Sequence, residues 1–494
     1  MTNRRTFLSS LMAASTGALF PRTLSRVISH EVVAPRSFPA FAAEASWAQL
    51  PEILKRIKAP VFSKRDFPIT HFGAVADGTG DATEAFRKAI IACNQAGGGR
   101  VVVPEGNFLT GAIHLMSNVN LHLVKGSTIK FSREPGKYLP VVFSRWEGVE
   151  LMNYSPFIYA FGQRNIAITG QGTLDGQSDP ESWWPWVGRA EYGWKAGQPS
   201  ARADRQRLFE MAERNVPVGE RLFGEGHYLR PQFIQPYRCE NVLIEGVTIK
   251  NSPMWEIHPV LCRNVTVRKV NISSHGPNND GCDPESCRDV LIEDCVFDTG
   301  DDCIAIKSGR NADGRRLHVP SENFIIQGCQ MKDGHGGVTI GSEISGGVRN
   351  VFAQNCVMSS PKLDRALRIK NNAMRGGLIE NIYMRNVDVG EVAEAVVAID
   401  FYYEEGETGG FTPVVRNVDV RNVRSSKSKY ALYLRGFKRA PITDIRLEHC
   451  SFDGVAQPNL VENVERLVFR DVRINGQERV SARLAQQNEW STEI

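Results

Sequence analysis

The sequence predicts an all-β protein, a right-handed parallel β-helix (a solenoid) with an N-terminal capping helix. Three observations lead there. From residue 239 a short pattern returns again and again, begun by Asn241, Asn264, Asp289, Asn323, Asn350, Asn381, Asn417 and Asp444 at spacings of 23, 25, 34, 27, 31, 36 and 27 residues. Within each copy apolar positions alternate between turn-forming Asn and Gly, as in Asn241-Val242-Leu243-Ile244, so each copy reads as one coil of a stack and the anchor side chains can form a ladder. The Asn-Gly signal of tight hairpins is largely missing, which argues against a sandwich or a propeller.

The elements follow in order. Arg4-Arg5 stand directly before Phe7-Leu8 and an uncharged apolar run to Phe20, and Ala40-Phe41-Ala42 offers a small-x-small cleavage site. Residues 1–42 therefore read as a cleaved twin-arginine signal peptide, and the mature chain is expected in the periplasm or outside the cell. Residues 43–66 read as a linker, 67–478 as the solenoid domain and 479–494 as a tail. At the start of the solenoid, Asp77-Gly78-Thr79-Gly80 is a turn. Asp81 with Glu84 resembles a capping box, Phe86, Ala89, Ile90 and Cys93 share one helical face, and Gly97-Gly98-Gly99 ends the helix. A cap of this kind covers apolar core that the first coil would otherwise expose. Short strands follow at 101–103, 119–123 and 166–168.

Two segments interrupt the rhythm. Residues 176–232 form an insertion carrying Trp183, Trp184, Trp186 and Trp194, and 402–412 a shorter one beginning Tyr402-Tyr403. Insertions in a solenoid emerge as loops, often on the binding face. Their tryptophans either stack on sugar rings or pack the loop upon itself, and the sequence leaves both readings open.

With 59 Lys and Arg against 55 Asp and Glu, the net charge of +4 gives no general reason to expect nucleic acid or an acidic membrane as partner. No stretch beyond the signal is apolar for the roughly 20 residues of a membrane span. The ten cysteines are scattered. Cys282 and Cys287 are the nearest approach to a metal pair, without suitable histidines, so stacked small core residues are the favoured reading. A disulfide or two is left open by the oxidising compartment.

Four motifs carry chemistry: Asn278-Asn279-Asp280-Gly281, Gly300-Asp301-Asp302, Gly334-His335-Gly336 and Arg368-Ile369-Lys370. Asp301 lies 21 residues after Asp280, His335 33 after Asp302, and Arg368 another 33 on, so each step is about one coil. Singly the first three are turn formers and the last a solvated strand; together, in order and at coil spacing, they place three carboxylates, an imidazole and two cations on one face. Hydrolysis of a glycosidic bond needs a proton donor on one side and a water-activating carboxylate on the other, and a separation of roughly 6.5–9.5 Å leaves room for water and inverts the anomeric centre. Crowding of carboxylates raises the proton affinity of at least one of them, which suits a general acid, and His335 can steady that proton. Arg368 and Lys370, two apart on a strand, can grip a sugar carboxylate.

With these motifs and the run Gly300-Asp301-Asp302-Cys303-Ile304-Ala305-Ile306-Lys307-Ser308-Gly309, residues 65–475 resemble the polygalacturonase family of glycoside hydrolases, family 28. The resemblance implies inverting hydrolysis of acidic pectic polysaccharide or oligosaccharide, with no metal and no cofactor. It gives Asp301 as general acid, Asp280 and Asp302 as activators of water, His335 as an assistant, and Arg368, Lys370, Asn278 and Lys307 as substrate contacts. The family more often has Asn-Thr-Asp where this chain has Asn278-Asn279-Asp280. The 176–232 insertion precedes the catalytic coils and is long enough to wall off one end of a groove, so exo-type release of one or two sugars from the non-reducing end is expected. A rhamnogalacturonan hydrolase of the same family, a pectate lyase and a non-catalytic glycan-binding β-helix are the alternatives.

Overall fold

A computed structural model describes residues 47–479; residues 1–42, expected to be a signal peptide, and all but the first residue of the 479–494 tail lie outside the described residues. The chain winds as a right-handed parallel β-helix. One face runs through Val119–Leu123, Arg164–Gly170, Glu240–Glu245, Arg263–Arg268, Arg288–Glu293, Ser321–Gln327 and Val348–Gln354, all parallel, into the long strands that start at Leu378 and Val414. In the core, like stacks on like: Val242, Val265, Val290, Phe324, Val351, Ile382 and Val418 lie in register on successive coils, all buried. Each such side chain contributes about 1.5–3 kcal/mol by leaving water.

The anchors explain why each coil turns where it does. Asn241, Asn264, Asp289, Asn323, Asn350, Asn381 and Asn417 all adopt a left-handed backbone, with φ between 55° and 64°, a region Asn and Asp tolerate better than other side chains. Their amides form the expected ladder, Asn264 donating to Asn241 at 2.6 Å, Asn350 to Asn323 at 3.1 Å and Asn417 to Asn381 at 2.7 Å. At Asp289, which has no amide to donate, Arg56 supplies the cation at 3.0 Å.

Arg56 belongs to a helix, α1 (Leu50–Arg56), inside the stretch where the sequence suggests only a linker over 43–66. That expectation needs correction. On the outer side of the large face, Leu291, Ile325, Phe352 and Tyr383 stack in register as an apolar stripe, and Trp47, Leu50, Ile53 and Ile57 bury it. The second helix, α2 (Thr83–Gln95), is the end cap, with Ala85, Phe86, Ala89, Ile90 and Cys93 buried against the first coils. Its start differs from a capping box. Asp81 accepts from the Thr83 backbone at 2.9 Å, whereas Glu84 turns outward to pair with Arg87.

All ten cysteines are free thiols in the core, several stacked on one another's coils, as Cys239 and Cys262 are, with no disulfide among them. No helix among the described residues is long and apolar enough to cross a membrane.

Candidate active site

A further face of the β-helix, made by Ile304–Ile306, Val338–Ile340, Arg365–Lys370, Ala395–Asp400 and Tyr430–Arg435, positions the four motifs. Isoleucines 304 and 306 and their in-register partners point inward and are buried, so the residues between them face out: Ala305, Thr339 and Arg368 form one outward line. Asp301 and Asp302 precede the first of these strands, His335 precedes the second, and the Asp280 segment joins the same stack through the bridge of Cys282 to Ile304. Two glycines are required by close approach. A Cβ on Gly336 would stand 2.9 Å from Asp302 Oδ1 and 2.2 Å from Thr339 Oγ1, and one on Gly300 would lie 2.5 Å from the Gly276 carbonyl.

The motifs therefore meet. Carboxylate oxygens of Asp280, Asp301 and Asp302 lie within 4.8 Å of one another. The pair Asp301-Asp302 sits on a turn directly above the Asp280 turn, with the Gly281 N–H donating to the Asp302 carbonyl at 3.0 Å, which brings these nearest oxygens together. The spacing by itself thus does not argue for inversion.

Each carboxylate has its own electrostatics. Asp302 is fully buried, accepts from Lys370 Nζ at 2.7 Å, Arg368 Nη1 at 3.2 Å and Thr339 Oγ1 at 3.0 Å. Burial works against its charge, yet the two cations hold its carboxyl well below the usual range. Asp301 is part-exposed and shares a 2.9 Å hydrogen bond with His335 Nδ1. Burial again opposes ionisation, but the hydrogen bond and charge of His335 lower the Asp301 carboxyl and raise the imidazole. Asp280 is the group that burial, with Asp283 and Asp301 beside it, pushes well above the carboxylate range, and its Oδ1 has no hydrogen-bond partner among the described residues. Crowding does raise one carboxylate, as the sequence suggests, but it is Asp280; Asp301 is shifted the other way.

Lys307 is buried, with Nζ 3.1 Å from Glu343, 3.5 Å from Asp283 and 3.9 Å from Asp280, and it lies over the Trp255 ring at 4.2 Å. It neutralises the floor beneath the carboxylates, a role beyond the substrate contact expected of it. Asn278 takes the left-handed conformation (φ 54°) and accepts from Arg230 Nη2 at 2.8 Å. Among the described residues, two groups of three acidic or imidazole side chains are close enough to hold a cation, Asp280 with Asp301 and Asp302, and the more exposed His275 with Asp298 and Asp333. In the first, Lys307, Arg368 and Lys370 already supply positive charge.

Asn278, Asp280, Asp301, Lys307, His335, Arg368 and Lys370 line a cavity of about 480 Å³, within the range of small-ligand sites, with Asp302 buried behind them. The insertion contributes Val187, Arg189, Tyr192, Arg202, Arg205 and Arg230 to its wall, and the shorter one Tyr403 and Glu404. None of the four insertion tryptophans lines it. Trp183 is buried against Tyr138, Phe157 and Trp186, and the Trp184 indole donates to the Ser252 carbonyl at 2.9 Å, so the packing reading is the one the structure favours. Sequence reasoning missed Asp283, although it follows Asp280 by only three residues, and it missed Glu343 and the wall arginines, which carry no motif.

The model of the glycosyl hydrolases family 28 matches residues 224–470, half of the chain. The chain belongs to that family. Among solved structures it is similar to a hyperthermoactive exopolygalacturonase from Thermotoga maritima, with 50% identity, a TM-score of 0.85, and 87% of this chain and 96% of the other covered. Among curated proteins it is 27% identical to a probable polygalacturonase of Vitis vinifera, over 80% of this chain and 75% of that one. It is also 27% identical to an exo-poly-alpha-D-galacturonosidase of Dickeya chrysanthemi, over 74% and 64%. In this family 28 glycosidase, the matched region begins within the insertion and spans all four motifs.

Proposed function

We propose that the protein is an exo-acting polygalacturonase, hydrolysing α-1,4 linkages between galacturonate residues at the non-reducing end of pectic chains. The observation that carries this reading is the convergence of Asp280, Asp301 and Asp302, the first two lining a cavity rich in Arg and Lys to which the 176–232 insertion contributes wall, and Asp302 buried against them. The similarity to the two exo-acting enzymes supports it.

The roles follow from protonation. The Asp301–His335 pair holds one proton between them, and Asp301 passes it to the leaving glycosidic oxygen as the bond to the anomeric carbon breaks. Asp302, kept ionised by Lys370 and Arg368, accepts a proton from the attacking water, while neutral Asp280 positions that water through its unpartnered oxygen. Water adds to the sugar, the leaving chain gains a proton, Asp302 gives the proton taken from water back to solvent, and His335 resets the pair from solvent. Tyr403, whose ring stands 5.8 Å from the Arg368 guanidinium and 5.3 Å from Lys370 Nζ, closes the far wall. Residues 1–42 are proposed to direct export by the twin-arginine route.

Incubation with polygalacturonate, with and without chelator, tests the reading. New reducing ends without near-ultraviolet absorbance, unaffected by chelator, are expected. An unsaturated product lost on chelation indicates a lyase, no new ends a binding protein, and activity on rhamnogalacturonan alone the sister specificity. Proton NMR of the first-formed anomer decides between inversion and retention.

A further inference from the structure

The Asp280 carboxyl has little of its own to hold it: Oδ1 has no hydrogen-bond partner among the described residues, and Lys307 Nζ stands off at 3.9 Å. Its place therefore depends on the turn that carries it, Gly276 to Gly281. That turn is pinned by Asn279, which is fully buried. Its Oδ1 accepts from the Gly276 N–H at 2.7 Å and the Ser274 hydroxyl at 2.8 Å, and its Nδ2 donates to the Ser252 and Met254 carbonyls, both at 3.1 Å. All four hydrogen-bonding positions of the amide are used, and with a backbone N–H at one end and two carbonyls at the other only one orientation of the side chain fits. The insertion grips the same pieces of chain. The Trp184 indole donates at 2.9 Å to the Ser252 carbonyl, the acceptor Asn279 also uses, and lies so close to Gly276 that a Cβ there would stand 2.3 Å from the ring. Arg230 donates to the Pro253 and Pro277 carbonyls at 2.7 Å and to Asn278 Oδ1 at 2.8 Å. Trp184 in turn meets Tyr192, a residue of the cavity wall, edge to face with ring centroids 6.5 Å apart.

We propose that Asn279 is a positioning residue for the reaction: it locks the Asp280 turn to the preceding coil and, through the Ser252 carbonyl it shares with Trp184, to the insertion, so that the water-positioning carboxyl and the cavity wall hold one fixed geometry. The inference rests on the polygalacturonase reading above for the role of Asp280, while the joint itself stands on its hydrogen bonds. Asn279 is not among the residues that line the cavity, so it acts through the turn. A side chain with a single donor cannot serve both carbonyls; one of them loses its partner inside the protein, and the turn slackens. Misplacing a reacting group by about 1 Å costs roughly 10²-fold in rate, so a small slackening here is felt in kcat and not in KM.

The test compares Asn279→Thr and Trp184→Phe with wild type in two readouts, hydrolysis of polygalacturonate and amide hydrogen exchange of peptides covering 276–281. Asn279→Thr keeps a hydroxyl at the position but gives up one donor, and Trp184→Phe removes the indole N–H while keeping an aromatic ring. The expected result is a fall of about ten- to hundredfold in kcat for Asn279→Thr with KM within about twofold of wild type, a smaller fall of the same kind for Trp184→Phe, and faster exchange of 276–281 in both. An unchanged kcat in the two variants, or a loss carried by KM, overturns the proposal even where exchange is faster, because Asn279 is then structural only. If Asn279→Thr does not fold, Trp184→Phe decides by the same criteria. If wild type releases no reducing ends, the polygalacturonase reading fails and exchange still reads the joint: faster exchange of 276–281 in Trp184→Phe supports it, and unchanged exchange refutes it.

Discussion

Lys370→Met removes the closest cation from Asp302 while preserving much of the side chain's volume. The ammonium lies 2.7 Å from Asp302 Oδ2, and the two side chains are 8% and 0% exposed. Breaking a buried pair from one side typically costs about 3–5 kcal/mol, and at about 1.36 kcal/mol per pH unit this raises the proton affinity of the remaining carboxylate by ~2–4 units. Arg368 stays at 3.2 Å, so the lower figure, about 2 units, is expected. The sign is fixed by the direction of the shift. Asp302 is depressed in the folded protein, so its contribution to stability is present above the unfolded-state value and is lost only as pH falls through the lower folded value. In the variant that depression is relieved. The acid limb of the kcat profile should therefore move up by about 2 units, and urea unfolding at pH 7 should show a loss of about 3 kcal/mol that shrinks toward acid pH. The assay is reducing-end release across pH on polygalacturonate, beside urea titrations at matched pH. An acid limb that stays where the wild type has it would refute the assignment of Asp302 as the ionised base held by Lys370.

Asp301→Asn should lower kcat by about 10²–10⁴-fold with far-ultraviolet circular dichroism and melting unchanged, since the amide cannot deliver the proton; a folded variant with near-normal turnover contradicts the role. His335 is raised by Asp301, so the shared proton, and the activity that needs it, should persist below the raised imidazole value and fade as pH climbs through it. In His335→Ala the proton rests on the carboxyl alone and the alkaline limb should move to lower pH, a shift read from the pH profile of kcat; an unmoved limb excludes the pair as donor. Trp47→Ala should cost about 3–5 kcal/mol in chemical denaturation, because the stripe of Leu291, Ile325, Phe352 and Tyr383 loses its cover; a change under 1 kcal/mol would mean α1 is not needed there. Replacing Arg4 and Arg5 by Lys should leave precursor in the cytoplasm, visible by fractionation, and unchanged secretion would rule out the twin-arginine route.

What was legible in the sequence was whatever repeats with the coil. Anchor positions from Asn241 to Asn417 announce the left-handed turn at each coil, and the spacing of Asp280, Asp301, His335 and Arg368 places them on one face because each interval is one circuit. Contacts made across coils by outward side chains were not legible. Leu291, Ile325, Phe352 and Tyr383 sit one to a coil, each unremarked in its own stretch, and only their stacking creates the stripe that turns 47–57 into a docked helix. The same holds for charge. Three aspartates in sequence look alike, whereas Lys370 and Arg368 lower one, His335 another, and burial raises the third. The insertion's arginines reached the cavity while Trp183 joined the main core of the coils and Trp186 packed against it, which anchors the excursion to the β-helix.

The central claim, that this cavity removes sugars from a chain terminus by acid and base hydrolysis, is tested most directly by a product time course on polygalacturonate, with viscosity followed in parallel and Asp301→Asn as the blank. The account predicts monomer or dimer from the earliest points, a slow fall in viscosity and an inert blank. An early ladder of intermediate oligomers with rapid loss of viscosity would contradict it.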